Sequence, residues 1–118
     1  MRQQACSVIA AAAAAAALVS SIPARAGLEG AEIAKGREII TEKCSRCHAV
    51  GQQGASPHAK APPFREVVKR YPVENLAESL AEGIVSGHPD MPVFVFEPAE
   101  IDAILAYLSS LSPAPQPK

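Results

Sequence analysis

The sequence predicts an all-α protein of one domain, and three observations carry that expectation. Apolar residues recur at helical spacing in several separate segments. Stretches rich in Pro and Gly divide those segments. No strand pattern runs longer than Val93 to Phe96, and no internal repeat is present. At 118 residues the chain has room for one domain and no more.

Each element follows from its own residues. Ala31 to Lys43 places Ile33, Gly36 and Ile40 at helical spacing. Gln52 to Pro63 is rich in Gly, Ala and Pro and reads as a loop. Phe64 to Arg70 reads as a short helix stopped by Tyr71-Pro72. Glu74 to Val85 repeats Leu76, Leu80 and Ile84 at intervals of four, which predicts a helix across it. Gly87 to Pro92 holds one Gly and two Pro and is expected to be irregular. The last helix is the clearest. Pro98 suits its first position, and Ile101, Ile104, Leu105, Leu108 and Leu111 mark one face. From Ser112 onward the tail carries three prolines in its last six residues and is expected to be extended and mobile.

Composition narrows the class. The chain has 11 basic and 12 acidic side chains and no Lys/Arg cluster, so nucleic acid is not an expected partner. Aromatic residues are few: three Phe, two Tyr and no Trp. A short domain with so few large side chains has difficulty building a sufficient core alone. A disulfide, a metal or a cofactor is therefore expected to complete it.

Residues 1–26 read as an export signal. Arg2 gives a positive start, and Val8 to Val19 is an unbroken apolar run dominated by alanine. Ala24-Arg25-Ala26 is a small-x-small cleavage site. The alternative is an anchor that stays in the membrane, but a span needs about 20 apolar residues and this run is shorter. A lipoprotein fits less well, because Cys6 precedes the apolar run. Cleavage would leave Gly27 to Lys118, with Cys44 and Cys47 as its cysteines and Met91 as its methionine. Losing Arg2 and Arg25 would leave 9 basic against 12 acidic groups, a net charge of −3.

The chemistry sits in Cys44-Ser45-Arg46-Cys47-His48, a C-x-x-C-H haem-attachment sequence. Thiols at this spacing reach the two vinyl groups on one edge of a porphyrin, and the next residue can offer an imidazole to the iron. Three other readings compete. A C-x-x-C redox disulfide usually opens a helix in a βαβ setting, and none is visible. A zinc site needs four ligands, which Cys44, Cys47 and His48 could complete with His58 or His88. Chance occurrence is the third. Export favours haem, because it delivers the chain to the compartment where such proteins mature.

The sequence resembles a bacterial class I c-type cytochrome, with one haem and a distal Met, across the chain between leader and tail. The matching pieces are Gly36, Cys44-Ser45-Arg46-Cys47-His48, Ala61-Pro62-Pro63-Phe64, Gly87-His88-Pro89-Asp90-Met91-Pro92 and Ile104-Leu105-Ala106-Tyr107-Leu108. The resemblance implies the class I cytochrome c fold, about three to five helices around one covalently bound haem c and its iron. It divides the chain into a signal peptide at 1–26, a cytochrome domain at 27–111 and a flexible Pro-rich tail at 112–118. It also implies that the first and last helices cross beside the haem, with Gly36 letting Tyr107 approach closely.

The resemblance assigns residues in turn. Cys44 and Cys47 would hold the haem and His48 the iron. Met91 is the expected second axial ligand: its thioether suits ferrous iron and raises the reduction potential, and Pro89 and Pro92 would stiffen its loop. His58, in a polar loop and expected to be solvated, and His88 are rival ligands. The Pro62 carbonyl would accept the His48 Nδ1 proton, with Pro63 as the alternative. Phe64, Leu76, Leu80, Val93 and Phe94 would wall the haem, and Arg65, Arg70 and Tyr71 are candidate donors to its propionates.

Function follows as an expectation. Full ligation leaves no open iron position, which predicts a periplasmic one-electron carrier and not an enzyme, meeting redox protein partners and without stable membrane insertion once the signal is removed. A fixed electron-transfer subunit of a periplasmic dehydrogenase or oxidase complex is the alternative. A haem enzyme or gas sensor with a labile sixth ligand is a third.

Overall fold

The computed structural model describes residues 24–83 and 89–112. Most of the expected signal peptide, Gly87 and His88, and the tail from residue 113 lie outside them. Among the described residues the secondary structure is helical: α1 spans Ala24–Cys44, α2 Phe64–Arg70, α3 Leu76–Glu82 and α4 Pro98–Leu111, with a 3-10 turn at Val73–Asn75. No strand occurs among them.

Helix α1 begins at Ala24, earlier than its apolar spacing predicts. No proline follows Pro23 until the helix has ended, and Gly27 and Gly30 each cost only about 1 kcal/mol relative to alanine. Residues 27–30 of this extension are all exposed. Helix α2 has the bounds expected of it. Pro63 stands at its N-cap, and the Pro63 carbonyl accepts from the N–H of Glu66 at 2.9 Å and of Val67 at 3.2 Å.

Helix α3 departs from expectation. It is shorter at both ends than Glu74 to Val85: Val73–Asn75 is a 3-10 turn, and the α-helix stops at Glu82. The stop is Gly83, whose φ of 90° is a left-handed conformation that side-chain-bearing residues rarely adopt. A periodic apolar pattern does not register such a break.

Helix α4 starts as a proline-led helix should. Pro98 occupies the first turn, the Glu97 N–H donates to Glu100 Oε2 at 3.0 Å, and the Glu97 carbonyl accepts from Glu100 and Ile101. Its inner face buries Ile101, Ala103, Ile104, Tyr107, Leu108 and Leu111 against Ile39 and Ile40 of α1, with Val73 and Phe96 closing the cluster. Burial of each large aliphatic side chain contributes about 1.5–3 kcal/mol. The most extensive packing is between α1 and α4.

Gly36 makes that packing possible. It is buried, and a β-carbon built on it would lie 2.6 Å from the Ala103 carbonyl carbon and 2.8 Å from Tyr107 Cβ. The two backbones meet where α1 has no side chain. By contrast, neither α2 nor α3 fully buries any residue, although Phe64, Val68, Leu76 and Leu80 all pack against the core.

Candidate functional site

Helix α1 ends on Cys44, and the chain turns tightly there. The N–H groups of Cys47 and His48 both donate to the Cys44 carbonyl, at 3.1 and 2.9 Å. The turn leaves Cys44, Cys47 and His48 all half-buried at the end of one helix. Both cysteines are free thiols, and Cys44 packs against the core. Burial, with Cys47 adding to it, pushes the Cys44 thiol up to about 11. Disulfide oxidoreductases depend on the opposite shift, a thiolate stabilised near neutral pH. The redox-disulfide reading therefore finds no electrostatic support. Among the described residues no group of three or more His, Cys, Asp or Glu side chains gathers to hold a metal ion.

The His48 ring is fixed by two neighbours. Its Nδ1 lies 2.7 Å from the Pro62 carbonyl, which can only accept, so Nδ1 carries the proton, and in the neutral ring the lone pair falls to Nε2. The choice of Pro62 over Pro63 has a plain cause: the Pro63 carbonyl is spent on starting α2. On its flat side the imidazole stacks with Phe64, ring centroids 4.7 Å apart and planes 11° from parallel.

The segment after His48 is held on several sides. Ala49 N–H donates to Ser56 Oγ at 3.0 Å, and the Ala49 carbonyl accepts from Phe64 N–H at 3.0 Å. Tyr107 Oη donates to the Val50 carbonyl at 2.8 Å, tying α4 to the loop. Arg65 donates to the Gly54 carbonyl at 2.8 Å and, more weakly, to that of Gly51 at 3.5 Å. Arg65 is thus a loop clamp, a use its sequence position did not reveal. Arg70 and Tyr71 are exposed; with Ser109, Ser110 and Ser112 they border a groove at the far end of α4.

His58 is partly exposed and is tethered to the loop: its backbone N–H donates to the Cys47 carbonyl at 3.1 Å, and its Nδ1 accepts from Lys60 N–H at 3.2 Å. Its Nε2 faces Asp90 Oδ2 at 3.7 Å. That contact joins the attachment loop to the residue preceding Met91.

Met91 is half-buried in an irregular segment running on to Glu97. The base of the segment is pinned where Phe96 N–H donates to the Leu80 carbonyl at 3.1 Å. Close packing adds to this: a β-carbon on Gly83 would lie 2.7 Å from Val93 Cγ1. Phe94 turns inward, half-buried and 6.0 Å from the Phe96 ring. Val93 and Val95 alternate outward and are 56% and 68% exposed. Sequence reasoning passed over Val95, whose outward position is legible only from the alternation with Phe94 and Phe96.

This donor set suits a covalently held haem. Two adjacent thiols, an imidazole with its tautomer fixed and Nε2 available, and half-covered apolar side chains from α2, α3 and the 91–96 segment are its requirements. The family model for cytochrome c matches residues 33–112. The chain belongs to the cytochrome c family. Neither curated proteins nor solved structures yield a match. As a cytochrome c it is an electron-transfer protein that carries haem c with its iron, and Cys44 and Cys47 stand at the spacing of the family's attachment motif. Among the described residues no helix of this cytochrome is long and apolar enough to cross a membrane.

Proposed function

We propose that this cytochrome is a periplasmic one-electron carrier with His/Met-ligated iron. In this reading Cys44 and Cys47 would form the thioether bonds, and His48, through Nε2, and Met91 would hold the iron. The observation that carries the proposal is the 2.7 Å contact between His48 Nδ1 and the Pro62 carbonyl. It holds the imidazole in the tautomer that ligates through Nε2 and raises its basicity, as outer partners of metal-bound histidines do.

The bound haem supplies a one-electron couple, and the chain's own residues supply the rest. Phe64, Leu76, Leu80 and Phe94 exclude water. A neutral thioether from Met91 favours ferrous iron and raises the potential. The Phe96–Leu80 hydrogen bond ties the Met91 segment to α3, and the His58–Asp90 contact links it to the attachment loop. Export rests on the signal read at residues 1–26, with cleavage after Ala26. Exposed Val93 and Val95 suit a small apolar contact with redox protein partners.

Optical spectra in both oxidation states test the ligation. The wild type should show the weak red band of ferric iron–sulfur bonding and should not bind carbon monoxide when reduced. Met91→Ala should lose the band, lower the potential and admit carbon monoxide. An unchanged spectrum in Met91→Ala would move the assignment to His58 or His88.

A further inference from the structure

We propose that Phe64 is a positioning residue for the axial imidazole: stacked on His48, it works with the Pro62 carbonyl to lock the rotation of that ring about its bond to iron. The inference rests on the reading of His48 as an iron ligand.

Two constraints of different kind act on one ring. An Nδ1–H bond points along the imidazole plane, so the 2.7 Å contact with the Pro62 carbonyl fixes where that nitrogen points. By itself it leaves the ring free to rock about the Nδ1···O direction. A stacked aromatic face opposes that rocking, and at 4.7 Å and 11° the Phe64 ring lies in the favourable offset range. Neither partner occupies Nε2.

Phe64 is anchored well enough to act as a stop. Its N–H is bonded to the carbonyl of Ala49, the residue next to His48, so the two rings spring from backbones tied to each other. It is the first residue of α2 and follows two prolines whose φ angles are fixed by their rings. The next residue, Arg65, is bonded to the Gly54 and Gly51 carbonyls. The Phe64 side chain itself packs against the core. A residue that only walled a haem needs apolar bulk, for which leucine serves as well. A residue that sets the imidazole plane needs a flat face.

In a low-spin ferric haem the unpaired electron is spread unequally over the porphyrin, and the pattern follows the orientation of both axial ligands; with the sulfur ligand unchanged, a change in it reports the imidazole plane. Proton NMR of the haem methyl groups in the ferric holoprotein reads that pattern directly. Phe64→Leu keeps apolar volume and removes the flat face; Phe64→Tyr keeps both. We expect Phe64→Leu to change the spread or order of the methyl shifts and to move the reduction potential, with haem content and the iron–sulfur band retained. Phe64→Tyr should restore the wild-type pattern. Phe64→Met, also flexible and without a ring, should behave as leucine does if the leucine variant yields little protein. Wild-type methyl shifts in the leucine or methionine variant would reduce Phe64 to a wall of the pocket and overturn the proposal. So would equal changes in the leucine and tyrosine variants, or loss of bound haem in both ringless variants. Failure of the ligand assignment itself would show separately, as an unmutated protein without a low-spin histidine-ligated spectrum.

Discussion

Gly36 and Tyr107 meet where α1 crosses α4, with no room between them for a β-carbon. Adding one brings it against the Ala103 carbonyl and Tyr107 Cβ, and backbone atoms in a helix cannot step aside singly. Gly36→Ala gains about 1 kcal/mol of helix propensity but overpacks the crossing by about 1–3 kcal/mol or more. The expected net is a loss of up to about 2 kcal/mol, read as a lower denaturant midpoint of the holoprotein with little change in slope. A midpoint at or above wild type would show that the helices separate freely.

Tyr107 also ties α4 to the loop after His48, through its hydroxyl and the Val50 carbonyl at 2.8 Å. Tyr107→Phe should cost about 1–2 kcal/mol, because a carbonyl loses its donor in a half-buried setting. For a domain of this size that is a fall in Tm of roughly 4–8 °C per kcal/mol. A melt unchanged within error would mean that water replaces the hydroxyl.

These relationships differ in how far the sequence announces them. The bounds of α2 and α4 are legible because proline starts or stops each one, at Pro63, Pro72 and Pro98. The end of α3 is not, since Leu76, Leu80 and Ile84 continue a helical rhythm through Gly83 and only a positive φ breaks it. The attachment motif is five consecutive residues, so its spacing is visible without a fold. The stack of Phe64 on His48, the Arg65 clamp and the His58–Asp90 contact are tertiary. They join residues well separated in the chain, and no local pattern encodes them.

Folding should depend on the cofactor. Helices α2 and α3 fully bury no residue, and the buried cluster is built from α1, α4, Val73 and Phe96. A haem that is buried and ligated only in the native state stabilises that state. The protein with Cys44 and Cys47 both changed to Ala should lose most of its helical circular dichroism. A cooperative melt with wild-type ellipticity would show that the polypeptide suffices.

Electron transfer with the physiological partner should depend only modestly on salt. Exposed Val93 and Val95 beside Met91 present an apolar contact, and screening acts mainly on exposed charges. The measurement is the second-order rate at low and moderate ionic strength. A steep fall would point to charge steering, and stable co-purification with one large enzyme would favour a fixed subunit over a shuttle.

The most direct test is the intact mass of the protein purified from cells able to mature c-type cytochromes. The account predicts the polypeptide from Gly27 to Lys118 plus the mass of one haem, retained after acid–organic extraction because thioether bonds survive it, and lost when Cys44 and Cys47 are both changed to Ala. A polypeptide without added haem mass would contradict it.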